Sequence, residues 1–419
     1  MPNQEIHQFS LANGLSILVE RLPAVQSAAV SLSFPAGIIF EQRGKNGAAA
    51  LLSDLLLRGA GPYDDRQFLI ALDCIGLQYS ISPGWHHITF SAATVATRLK
   101  ESLELIGTMV LQPHMERSHF ESCVVGREQI LRSIEDELRQ KLAIEMRRRT
   151  YPSPYNRPIE GTLEHLDSIT LEDVQEHYRR CCIPEEATLA IAGNVDPEMV
   201  LGWCEAIFGN WSGKLSPPAP ELERHSYAGH IDFDSTQTQI GIAYPAVSYR
   251  DPDYYNAWAT VGILSGGMSS RLFTRVREER GLCYAIGASL NTLKDRGRVF
   301  CVAGTTNERA QETLDVTLHE LAAVGEDLTE EELQRCQARA KSSLIMQEES
   351  TTARAAAMVR DWFHLQKVVP LEEIRQKVDS ITLDAIRGYI ERHPATMVQV
   401  LTIGPEPLQV QGSVDISEM

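Results

Sequence analysis

The sequence predicts an α+β protein made of two homologous domains in tandem, each a mainly antiparallel sheet packed with helices. Three observations carry that expectation. Strand-like and helix-like stretches are segregated rather than strictly alternating, as in α+β layers. Four segments recur in the same order about half a chain apart, which signals duplication. The chain, at 419 residues, is long enough for two or more domains with buried cores.

Taken in chain order, each half reads as a strand pair, two helices, further strands, long helices, then a helix and a strand. SLSFPAGIIFE from Ser31 answers IGIAYPAVSYRD from Ile240. The apolar helix AAALLSDLLLRGAG, residues 48–61, follows the first of these and is closed by Arg58 and Gly59. GLQY at 76–79 recurs as GLCY at 281–284, and ESLELIGTMVLQP from Glu101 answers ETLDVTLHELAAVG from Glu312. A long charged helix is expected after each of the last two. DSITLEDVQEHYRRCCIPEEATLAIAGN, residues 167–194, answers DSITLDAIRGYIERHPATMVQVLTIG, residues 379–404. Both read as a capped helix start, an amphipathic helix and a strand ending in glycine. Between the halves GKLSPPAPELE, residues 213–223, is Pro-dense and reads as a semi-rigid linker. The expected domains are residues 1–212 and 226–410, with the linker at 213–225 and a tail at 411–419.

Composition is that of an ordinary globular protein, 43% hydrophobic and 23% charged. No apolar run reaches the roughly 20 residues of a membrane span. The start lacks the basic and apolar regions of a signal peptide, so the expected compartment is the cytoplasm, or the periplasm if a leader has been removed. A net charge of −17 argues against nucleic acid, whose phosphates call for Lys and Arg. It reads as solubility or, more sharply, as attraction for a basic peptide or partner. The eight cysteines form no CxxC pair and read as mostly reduced core residues.

Candidate chemistry is sparse. There is no GxSxG nucleophile elbow. SGGMSSRL at 265–272 lacks the Gly-Lys-Ser/Thr ending of a phosphate loop. It reads instead as a turn at Gly266 and Gly267, with Ser269 or Ser270 capping a helix. His86, His87, His114 and His119 show neither HExxH nor HxxEH spacing, and read as structural or surface residues.

The order of segments nevertheless resembles the pitrilysin/insulinase family of inverted zincins, in its processing-peptidase-like branch, over essentially the whole chain. The residues that carry it are FSLANGLSILVE (9–20), FPAGIIFE (34–41), the helix ending LLLRGAG, YPSPYNRPIEGTLEHLDSIT (151–170) and SGGMSSRLFTRVREERGLCYAIGASL (265–290). The resemblance implies a mitochondrial processing peptidase-like metallohydrolase fold. Carried over residue by residue, the family's two zinc histidines fall on Ala50 and Asp54, and its general-base glutamate on Ser53. The distal zinc glutamate falls on or near Ser133, with Glu128 or Glu135 as alternatives in another register. Alanine offers a metal no lone pair, and serine cannot take a proton from water as a carboxylate does. The chain is therefore expected to bind no zinc of its own.

The family's Arg/Tyr pair, by contrast, falls on Arg277 and Tyr284 in REERGLCY. A guanidinium can grip substrate carbonyls and a phenol can donate to an oxyanion. The plainer alternative is an exposed charge and a packed aromatic. The resemblance implies a non-catalytic subunit that lends these two residues in trans to an HxxEH-bearing partner whose zinc does the chemistry, or that pairs with itself when alone. It also implies peptide substrates, captured by strand addition at a sheet edge. A structural or assembly subunit, or a peptide-binding scaffold, is the alternative.

Overall fold

In the computed structural model, residues 4–222 and 229–410 are described. The first half begins with strands β1 (Glu5–Ser10), β2 (Ser16–Arg21) and β3 (Ser27–Phe34), then helices α1 (Ala48–Leu55) and α2 (Asp65–Cys74). The hairpin of β4 (Gln78–Pro83) and β5 (Ile88–Val95) leads to α3 (Leu99–Leu111), α4 (Arg117–Asp136) and α5 (Leu138–Thr150). A short α6 (Leu163–Leu166), α7 (Leu171–Cys181), β6 (Thr188–Gly193) and α8 (Pro197–Phe208) close the half. The second half opens with β7 (Gly229–Asp232), β8 (Gln237–Ala246) and α9 (Tyr254–Ser265), followed by a π-helical segment, Leu272–Glu278. Then come β9 (Ala285–Thr292), β10 (Gly297–Thr306), α10 (Ala310–Ala322), α11 (Glu330–Glu349) and α12 (Thr351–Leu365). It ends with α13 (Leu371–Asp379), α14 (Leu383–Arg392) and β11 (Gln399–Gly404).

The strands form two sheets, ordered β1-β2-β6-β3-β5-β4 and β7-β11-β8-β10-β9. Each has one parallel pair, β2 with β6 and β7 with β11, and is otherwise antiparallel. Five strands therefore correspond one to one: β2 to β7, β6 to β11, β3 to β8, β5 to β10 and β4 to β9. The fold is α+β and duplicated, as the sequence predicts.

Local chemistry explains the repeated pieces. Thr170 and Asp173 form a reciprocal capping box at the start of α7, and Thr382 caps α14 by accepting from the Ala385 N–H. Gly76 and Gly281 both sit at positive φ, +63° and +61°, the left-handed turn that glycine takes without steric cost.

The compact units do not follow the halves of the sequence. One comprises Met1–Ser133, Ser153–Glu223 and Met346–Pro370; the other comprises Ile134–Pro152, Arg224–Ile345 and Leu371–Met419. Helix α5 thus belongs with the second sheet, where Leu142 and Met146 pack on Ala243, Leu401 and Ile403. A Cβ at Gly241 would lie 2.7 Å from Met146, so only glycine admits that helix so closely. Helix α12 belongs with the first sheet, where Ala355 and Met358 pack on Leu18, Ala29, Ala190 and Ala192. Beside them Arg354 donates to Glu20 at 2.7 Å, both side chains fully buried.

Among the described residues no helix is long and apolar enough to cross a membrane. The tail expected at 411–419, the last residues of the expected linker (223–225) and residues 226–228 lie outside the described residues.

Candidate functional site

Glu41 sets the start of α1. Its carboxylate accepts from the N–H groups of Gly47 and Ala49, each at 3.0 Å, and from the Asn46 amide at 2.8 Å. A negative group suits the positive end of a helix. Burial still pushes its pKa up to about 7, against those three donors and the nearby Arg157 guanidinium. Arg157 in turn donates to the carbonyls of Ile38 and Glu41, at 3.1 and 2.7 Å.

One turn into α1 lie the three positions of interest. Ala50 is fully buried and presents only a methyl group. Ser53 is buried too, its hydroxyl donating to the Ala49 carbonyl at 2.9 Å. Asp54 is held by Arg127 of α4, which forks onto both carboxylate oxygens at 2.5 and 2.7 Å. The same guanidinium reaches the Ala50 carbonyl at 3.3 Å. A planar guanidinium matched to a carboxylate is the strongest form of such a pair.

Ser133 does not join this group. It is exposed, and its hydroxyl donates back to the Ile130 carbonyl at 2.8 Å. Glu128 pairs with Arg132 at 2.6 Å, and Glu135 pairs with Lys141. The α4 side chain that meets α1 is Arg127, which the sequence reading passes over. Its signal is the cation at the second position of GREQILRSIED, among carboxylates that resemble ligands more closely.

The donor set at α1 and α4 therefore does not fit zinc: a methyl, a hydroxyl committed to the backbone and a carboxylate committed to an arginine. Among the described residues no group of three or more His, Cys, Asp or Glu could hold a metal ion. The histidines serve other ends. His114 donates to the Gly61 carbonyl at 2.8 Å, and His86 and His87 flank Phe363 with ring centroids 4.8 and 4.7 Å away.

Arg277 and Tyr284 lie either side of the left-handed turn at Gly281. Arg277 is exposed, its guanidinium 4.7 Å from the centroid of the Phe273 ring, one turn earlier. It sits in the π-helical segment, closed by the Glu279 N–H donating to the Thr274 carbonyl at 2.8 Å. Such wide turns are rare and recur at functional sites. The serine cap expected here is absent: Ser270 donates its hydroxyl to the Gly267 carbonyl at 2.5 Å instead. Tyr284 precedes β9, its N–H donating to Gly304 of β10 at 3.1 Å. Its side chain is 65% exposed and lines a cavity of about 420 Å³ with Glu137, Arg139, Gln237 and Gln239. An exposed phenol beside amides and a guanidinium can bind a peptide group.

Residues 16–163 match the family described as Insulinase (Peptidase family M16), and residues 168–340 match its Peptidase M16 inactive domain. An uncharacterized zinc protease of Rickettsia felis is 24% identical over 416 residues, covering 95% of this chain and 97% of that protein. A protein of the same description from Mycobacterium leprae is 25% identical over 395 residues, covering 90% and 87%. Among solved structures, a peptidase M16 inactive domain from Pseudomonas fluorescens superposes with a TM-score of 0.87 at 20% identity, covering 97% of this chain and 99% of that one. A protease from Helicobacter pylori gives 0.87 at 18% identity, covering 96% and 100%.

Proposed function

The chain belongs to the insulinase family, peptidase family M16, and from that premise we propose that it is the non-catalytic subunit of a heterodimeric zinc-dependent peptidase. The observation that carries this reading is the Arg127–Asp54 fork at α1. It puts a fixed positive charge where the family resemblance expects a metal, and leaves no general base at Ser53. This chain then contributes Arg277 and Tyr284 in trans to the zinc site of an HxxEH-bearing homologous subunit. Alone it pairs with itself.

In this mechanism Arg277 orients the substrate by its carbonyl oxygens, and the Tyr284 hydroxyl donates to the oxyanion formed when water attacks the scissile carbonyl. Water activation belongs to the partner. The peptide is gripped as an added strand along β9, the sheet edge that Tyr284 leads into. We assign the two homologous repeats, as distinct from the compact units, to residues 1–212 and 226–410, and the working compartment to the cytoplasm.

The test compares the chain alone with its complex with the HxxEH-bearing subunit, reading bound zinc and peptide turnover. The lone chain is expected to hold no stoichiometric zinc and to turn nothing over. In the complex Tyr284→Phe should lower kcat by roughly 100-fold, the usual cost of one oxyanion donor, with the partner's zinc retained. Arg277→Ala should act mainly on KM. Zinc-dependent turnover by the lone chain, or a complex indifferent to both substitutions, would overturn the proposal.

A further inference from the structure

The duplication makes the second half an internal control on the α1–α4 junction. By sheet topology α1 answers α9 and α4 answers α11. Arg127 and Arg339 are 212 residues apart, the same separation as the repeated Asp167 and Asp379. In the first half the arginine closes on Asp54. In the second, no carboxylate among the described residues answers it, and a cavity of about 560 Å³ opens between α9, α11 and the Gly266–Gly267 turn. That volume lies within the usual range for small-molecule sites.

We infer that this cavity binds an oxyanion, a phosphate or carboxylate, carried on an apolar body. Arg335 and Arg339 stand four apart on α11, so their like charges share one helix face and repel unless an anion lies between them. Arg335 has one loose partner, Glu331 at 3.8 Å on the exposed side. Among the described residues Arg339 has neither a hydrogen-bond nor an ion-pair partner. The one acid lining the cavity among them, Glu332, is committed to Arg271 at 2.7 and 2.8 Å.

Two glycines shape the space. A Cβ at Gly262 would fall 2.7 Å from the Cys336 sulfur, so glycine lets α9 and α11 approach at that point. A Cβ at Gly267 would fall 2.8 Å from Arg339 Nη1, so glycine leaves the guanidinium its place against the turn. The far wall is apolar, with Trp258, Val261 and Leu290. The Trp258 indole N–H has no partner among the described residues. Guanidinium fork, adjacent apolar wall and glycine turn together suit an anionic head with a flat or aliphatic body. This assignment stands independently of the proposed peptidase role.

The test is calorimetric titration of the full chain with phenyl phosphate and, separately, with benzoate, using inorganic phosphate to gauge the head group alone. One aromatic probe is expected to bind saturably with a dissociation constant on the order of 1 mM or tighter. The stronger probe identifies phosphate or carboxylate as the head. Arg335→Ala/Arg339→Ala should weaken it by at least about tenfold, one decade in affinity, with a melting temperature no lower than the wild type's because both side chains are exposed and their mutual repulsion is removed. Absence of saturable binding by either aromatic probe, or equal binding by the double variant, overturns the assignment.

Discussion

Removing the Arg127 side chain would leave the Asp54 carboxylate, about a third exposed, and the Ala50 carbonyl without the guanidinium that serves both. Arg127→Ala should therefore cost about 2 kcal/mol, below the figure for a fully buried pair because Asp54 retains some water. Arg127→Lys should recover only part of that, since an ammonium cannot fork onto both oxygens. Urea midpoints of the three proteins check this. Two other buried groups beside α1 and α7 respond to pH in opposite senses. Glu41 has its folded pKa raised to about 7 by burial, so its contribution is complete below about pH 4.5 and is lost as pH rises through 7. His177, donating to the Ala36 carbonyl at 2.9 Å, is lowered to about 4, again by burial first. Its contribution is present above about pH 6.5 and lost as pH falls through 4. The two slopes oppose each other between about pH 4.5 and 6.5. Glu41→Gln should then gain on the wild type by about 3 kcal/mol as pH rises from 4.5 to beyond 7. Urea midpoints taken across that range would show it, and a constant difference would remove Glu41 from the account.

The element that matters most to the proposed role is the π-helical segment with its turn at Gly281. Gly281→Ala places a methyl group at φ +61°, which costs about 1 kcal/mol. It should also swing Tyr284 away from the edge of β9. The expected result is a small loss of stability with a larger loss of turnover in the complex, compared by melting and by kcat. Much at this scale was legible in the sequence. The caps at Thr170 and Thr382 follow from short polar residues set before apolar repeats, and the matched glycines of GLQY and GLCY mark matched turns. The widened helix was not legible, because RLFTRVREER has the same apolar spacing whether its turns close at four residues or five. Arg127 was missed for a related reason: a pattern of absent ligands says what a position lost, not which neighbour moved in. The pairing of α5 with the second sheet was also hidden. Leu142 and Met146 show that a helix has an apolar face, and nothing local says which sheet receives it.

At the scale of the molecule, each unit is completed by a helix from the other half of the sequence. The first sheet needs Ala355, Met358 and Arg354; the second needs Leu142 and Met146. Cutting the chain within residues 213–222 should give two fragments that fail to melt cooperatively alone, since each would leave an apolar sheet face bare and Glu20 without Arg354. Expressed together, they should assemble into one species with a single transition, seen by sedimentation and calorimetry. Independent cooperative folding of either fragment would contradict the exchange. The reciprocity of the exchange also bears on ancestry. Helix α5 lies on β8 and β11, and α12 lies on β3 and β6, which are equivalent strands in the duplicated plan. A half-length progenitor could cover its sheet in this way only with the helix of a second copy. Joining two such copies end to end turns a traded helix between molecules into a bond within one, and frees each half to diverge: one closed its arginine onto an aspartate, the other left its arginine open.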